Sequence, residues 1–161
     1  MNKLVLAGAF IISQQENDTY HLLSYQVSKH VIKGRTSSNS YTTLHIPTTS
    51  IKHDETSEDA VFRAIHLQTG IPKADLVIVR KIGVKHFYRL RADTSIERHD
   101  YVLELNTRYP KTWSYKFQRS DDYSEELSIH MITHHRLREL MVEYRRTVEK
   151  DIPEFSNVDA T

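Results

Sequence analysis

Residues 46–71 read IPTTSIKHDETSEDAVFRAIHLQTGI, and the parsing of this stretch sets the frame for the rest of the chain. Thr56 is a natural N-cap, with Asp59 three residues later in place of the usual Glu or Gln. A helix from there to about Thr69 places Ala60, Val61, Ala64, Ile65 and Gln68 on one face, at i, i+1, i+4, i+5 and i+8. Gly70 suits the left-handed residue that closes a helix, and Pro72 prevents its continuation. Upstream, Tyr41–Ile46 is short and β-prone, and Pro47 ends it because proline has no N–H for a ladder. The stretch is therefore a strand, a loop and a helix.

This strand-loop-helix resembles the Nudix family, in which a Leu-Pro-Gly-Gly turn opens the box G-x5-E-x7-R-E-U-x-E-E-x-G-U, with U aliphatic. Counting back from Gly70-Ile71 aligns the box without a gap. Thr49 stands at the first glycine, Glu55 at the first glutamate, Arg63 at the arginine and Ile65 at the first aliphatic position. The departures carry more information. Ala64 stands at the glutamate after the arginine, and Leu67 and Gln68 stand at the Glu-Glu pair. In the family these three acids gather a divalent metal for attack of water on a phosphoanhydride. Mg²⁺ is a hard cation that works best with anionic oxygen ligands, whereas Ala and Leu offer none and Gln offers a neutral carbonyl. The resemblance thus implies a degenerate member in which Mg²⁺-dependent pyrophosphate hydrolysis is lost, and no metal or other cofactor is expected. The surviving Glu55 and Arg63 imply a pair that ties loop to helix. Thr48 and Thr49, in place of two glycines, imply that the loop takes another course if that turn needs φ > 0.

Outward from the box, Leu4–Ser13 is a continuous apolar run with small residues in its middle, as in a central strand. Gln14–Thr19 is a polar turn and Tyr20–Gln26 a second strand, which together predict a hairpin. Residues 27–40 read as a mobile loop. Beyond the helix, strands are predicted over 76–83, 85–91, 100–106 and 113–118. From Ser124 to Lys150 there is no Gly or Pro, and Leu127, Met131, His134, Leu137, Met141, Tyr144 and Val148 form one stripe, which predicts a long amphipathic helix. The order suggests an α/β (α+β) fold, and the resemblance specifies a Nudix-like α/β/α sandwich, a mixed sheet flanked by helices. A single domain over 1–150 is followed by a flexible tail over 151–161.

The 161 residues suffice for one core, and neither repeat nor linker divides them. A formal charge of +1 argues against a protein that grips nucleic acid through its phosphates. The absence of cysteine removes disulfides, thiolate nucleophiles and cysteine-ligated zinc, and fits a reducing, cytoplasmic setting. The N-terminal run reads as a strand rather than a signal peptide, and no later segment approaches the ~20 apolar residues that span a bilayer.

Several side chains are candidates for chemistry. Asp54 and His66, with Glu58, flank the former metal positions, and Glu104 shares a strand face with Val102; Asp54, His66 and Glu104 form a tentative acid–base set, although caps and solvated faces explain them as well. Glu55, Arg63, Ala64, Leu67 and Gln68 are the expected ligand-binding positions. His130, His134 and His135 offer an i, i+4 pair for zinc, but without the acid of a His-Glu-x-x-His motif; packing of His134 at the core edge and solvation of His135 explain them. Asp121, Asp122, Glu125 and Glu126 are acids that a residual hydrolase would need. Arg136–Arg146 is interleaved with Glu139 and Glu143, as in a solvated helix. His86-Phe87-Tyr88 and Trp113-Ser114-Tyr115 offer flat surfaces for stacking, or simply strand residues.

Two functions follow. One is a non-hydrolysing binding or regulatory protein for a nucleotide-like or other small ligand, or for a protein partner. The other is a metal-independent isomerase, cyclase or lyase acting on a small apolar molecule in the former cleft. The resemblance also implies pairing, so a homodimer is one expected arrangement.

Overall fold

The computed structural model describes residues 2–32, 35–38, 44–90, 92–120 and 123–147. The strands are β1 (Asn2–Gln15), β2 (Asp18–Ile32), β3 (Arg35–Ser38), β4 (Leu44–His45), β5 (Thr48–Ser50), β6 (Leu76–Arg89), β7 (Thr94–Leu105), β8 (Thr112–Ser120) and β9 (Tyr123–Thr133). Helix α1 spans Ser57–Thr69 and α2 spans His134–Thr147. Among the described residues these strands form one nine-stranded sheet in the order β6-β7-β1-β2-β9-β8, with β3 and β4 on β2 and β5 on β1. The sheet is mixed: β1 runs parallel to β7 from Asn2↔Thr94 to Ile12↔Glu104, and the other pairs are antiparallel.

Alternation along the strands sends each neighbouring side chain to the opposite face. Ala7, Ala9 and Ile11 of β1, Tyr101, Leu103 and Leu105 of β7, and Leu127, Ile129 and Met131 of β9 pack with Ala60, Val61 and Ile65 of α1. Phe10, Leu23, Ile46 and Val102 pack on the other face with Leu137 of α2. The sequence therefore folds as helix, sheet and helix in layers. No helix among the described residues is long and apolar enough to cross a membrane.

The hairpin between β1 and β2 turns through Glu16 and Asn17, both at positive φ, so the polar turn is tighter than 14–19. The two strands pair only over Ile12–Gln15 and Asp18–His21, then splay apart. Into the gap runs the 44–50 segment: β5 pairs Thr48–Ser50 with Leu6–Gly8, the Ala9 N–H donates to Pro47 O at 3.0 Å, and Ile46 is buried. This wedge carries the chain to α1. Gly8 lies over a fully buried Arg98–Asp100 ion pair on the α2 face, where a Cβ would come within 2.8 Å of Asp100 Oδ1.

Four expectations are corrected. Within the expected loop 27–40, residues 27–32 are the end of β2 and 35–38 are β3, with β9 and β3 pairing the end of β2. The predicted strands 76–83 and 85–91 are one strand, β6, with register shifts near Gly83. The strand predicted over 100–106 begins at Thr94. The predicted helix over 124–150 is a strand to Thr133 and a helix only from His134, because Leu127, Ile129 and Met131 also repeat every second residue and β9 is paired on both sides. The tail, 151–161, lies outside the described residues.

Candidate functional site

Helix α1 begins as expected: the Asp59 N–H donates to the Thr56 hydroxyl at 3.1 Å. It ends at Gly70, at φ 77°, whose N–H donates to His66 O. The Trp113 indole donates to Thr69 O at 3.1 Å, and Tyr115 lies where a Gly70 Cβ would stand, at 2.7 Å. Tyr109 stacks by Trp113 and donates to Asp75; burial, then Asp75, pushes its phenol up to about 12.

Arg63 is the tie between helix and wedge. Its Nε and Nη2 donate to the two Glu55 carboxylate oxygens at 2.9 and 2.8 Å, Nη2 also donates to Ser50 O at 2.7 Å, and Nη1 reaches the Thr49 hydroxyl at 3.3 Å. The Lys52 N–H donates to Glu55 Oε1 at 3.1 Å. The hydrogen bonds from Arg63, then that from Lys52, hold the Glu55 carboxyl down to about 2. Thr48 and Thr49 lie in β5, extended, so the segment has no need of glycine there.

Gln68 makes the second tie, its Nε2 donating to Thr48 O at 2.9 Å. A helix turns about 100° per residue, so Leu67 and Ala64 fall between Arg63 and Gln68 on the flank beside β5. The three positions that carry glutamate in the Nudix box therefore share that flank. Ala64 is 1% exposed and Leu67 is 42% exposed. Gln68 Oε1 is buried and has no protein partner, while its amide nitrogen is committed to Thr48. A single neutral oxygen at these positions does not fit a Mg²⁺-type ion. Among the described residues no three His, Asp or Glu side chains stand close enough to hold a metal. Asp121 and Asp122 lie outside the described residues, and Glu126 sits in β9 opposite Val27 and Lys116.

The tentative acid–base set is dispersed. The Asp54 side chain is fully in solvent, with only His53 at 3.9 Å. His66 is exposed on the side of α1 away from Gln68. Glu104 shares its strand face with Val102 and so faces the α2 layer, with Ile12 and Val77 as strand neighbours. What the sequence reading missed is a line of polar groups on the α1 face of the sheet. Glu97 Oε2 meets His99 Nε2 at 2.9 Å, and His99 Nδ1 meets Lys81 Nζ at 2.9 Å. Lys81 lies over Tyr101, whose hydroxyl is hydrogen-bonded to Ser57 at the start of α1. His99 pairs with Ala7, which pairs with Thr49, so His99 is two strands, or about 10 Å, from the Arg63 tie. The i, i+2 spacing of Glu97, His99 and Tyr101 was the available signal, had β7 been extended back to Thr94.

No family model matches this sequence, and no curated protein matches it. Solved structures do. A Nudix hydrolase from Nitrosomonas europaea superposes with a TM-score of 0.58 at 14% identity, covering 99% of this chain and 87% of that one. The Nudix hydrolase RenU of M. smegmatis gives 0.55 at 14%, over 95% and 89%. The Nudix domain of Shewanella oneidensis NrtR, complexed with ADP ribose, gives 0.52 at 11%, over 86% and 78%. The chain has the Nudix fold, as the residues of the box implied.

Proposed function

We propose that this Nudix-fold chain is a non-hydrolysing binding or regulatory protein, holding a nucleotide-like ligand along the flank between α1 and β5. The observation that carries the reading is the composition of that flank: Ala64, Leu67 and Gln68 stand where three acids would gather metal, while the Glu55–Arg63 tie that shapes it is kept. Gln68 Oε1 adds a buried acceptor with no protein donor, and leaving such an atom unmet costs roughly 1–3 kcal/mol. A ligand N–H or O–H reached by a turn of the Gln68 side chain recovers that cost. Leu67 presents apolar surface beside it, which suits a base or ribose edge better than a metal-bound triphosphate. The NrtR Nudix domain complexed with ADP ribose makes that molecule the first probe.

Thermal shift with ADP-ribose, nucleotides and coenzyme A, each with EDTA and with Mg²⁺, tests the reading. A ligand at 100 times its Kd adds about 2.7 kcal/mol, or roughly 5–10 °C for a chain of this size. The expected result is a shift that persists in EDTA, leaves the ligand intact by chromatography and shrinks in Gln68→Leu. Release of mononucleotide in Mg²⁺ sinks the proposal. No shift with any small molecule moves the reading to a protein partner.

The second reading, a metal-independent enzyme acting on a small apolar molecule, draws little support from Asp54, His66 and Glu104, which do not converge. The Glu97–His99–Lys81 line favours it, since a carboxylate and an ammonium on the two nitrogens of one imidazole make a chain along which a proton can pass. Turnover that survives EDTA and falls in His99→Ala decides for it.

A further inference from the structure

His21 and His134 meet on the face of the sheet opposite α1, far from the box. His21 is in β2, with Ile12 and Ile132 as its neighbours on the adjoining strands. His134 opens α2, and one turn on, Leu137 is buried in the second core layer against the sheet. Both rings are therefore set by regular elements that pack on each other, not by loops. Nδ1 of His134 lies 3.2 Å from Nε2 of His21, with ring centroids 5.2 Å apart and planes tilted by 44°.

We propose that His21 and His134 form a two-imidazole site for a borderline divalent transition-metal ion of the Zn²⁺, Ni²⁺ or Cu²⁺ type, with water completing its coordination. Imidazole nitrogens bind such ions at about 2.0–2.1 Å, so a 3.2 Å separation subtends an angle of about 100° at the metal. That angle lies between the tetrahedral and the cis square-planar values, the geometries these ions favour. Hard ions such as Mg²⁺ and Ca²⁺ prefer oxygen and are not expected here. In the metal-free protein the two nitrogens share one proton in a hydrogen bond. The ion takes its place: the proton moves to the outer nitrogen of its own ring, both rings stay neutral, and a swing of up to about 40° in each turns its lone pair from the other nitrogen to the ion. The positive end of the α2 dipole opposes the ion and limits affinity.

His135 serves as an internal control, since it is 85% exposed and its Nε2 is bonded to Glu139 Oε1 at 2.7 Å. Titration calorimetry of the full chain with Zn²⁺ and with Ni²⁺ is expected to show one ion per chain. Loss of outer ligand-supporting groups already costs about 10–100-fold in affinity, so His21→Gln and His134→Gln should each weaken binding by at least about tenfold. His135→Gln should leave it unchanged. Thermal melts without metal verify that each variant is folded, and the Cu²⁺ EPR spectrum of the wild type should carry coupling from two nitrogens. Binding that survives in the His21 and His134 variants, a one-nitrogen spectrum, or no binding at all overturns the proposal.

Discussion

Arg63 organises the approach to α1 because a planar guanidinium can satisfy a carboxylate and two further oxygens at once, and here it does so on Glu55, Ser50 and Thr49. Glu55 in turn caps the Lys52 N–H, so one carboxylate holds the bend between β5 and α1. With its folded pKa near 2 against an ordinary 4.5, Glu55 contributes stability that is complete above about pH 4.5 and is lost as pH falls toward 2. The melting temperatures of wild type and Glu55→Gln should therefore differ most near pH 6 and converge by about pH 2. A constant gap across that range would show that the pair does not contribute in this way. At this scale the sequence was informative: Gly70 could be assigned from its place at the helix end, and the Glu55–Arg63 tie from the resemblance of the box to the Nudix family. The role of Gln68 could not, because its partner, Thr48 O, is 20 positions away.

Helix α2 shows how an element can be misread when two periods compete. Leu127, Met131, His134 and Leu137 fit a helical stripe, and Leu127, Ile129 and Met131 fit a strand face equally well. Pairing with both β2 and β8 settles the first half as β9, and the helix starts where that pairing ends, at Tyr20↔Thr133. It is anchored chiefly by Leu137, at 1% exposure against Phe10, Leu23 and Ile46. Leu137→Ala should destabilise the protein by about 2–5 kcal/mol, the range for a buried leucine, read as a lowered denaturant midpoint with little change in slope. A loss below about 1 kcal/mol, the level of surface substitutions, would mean that α2 is not packed on this layer.

The whole molecule is organised around β1, which borders β7 along most of its length and meets β5 and then β2 on its other side. Both core layers draw on it, through Ala7, Ala9 and Ile11 on one face and Phe10 on the other. Hydrogen exchange should accordingly be slowest in β1 and the β7 segment beside it, and faster in β6 and β8, which end the sheet order and carry register shifts within their ladders. Faster exchange in β1 than in β6 would contradict this arrangement. The sequence by itself determined the helix 57–69 with both its caps and the central strand, because each rests on spacing within a few turns or residues, while the order of the elements and the resemblance of the box pointed to the layered class of fold. Only the tertiary structure decided the wedge of 44–50 between β1 and β2, the strand identity of 123–133, the meeting of His21 with His134 and the line through Glu97, His99 and Lys81. These depend on which strands lie side by side, and register between segments as much as 113 residues apart is set by the packing of whole faces, which no local pattern encodes.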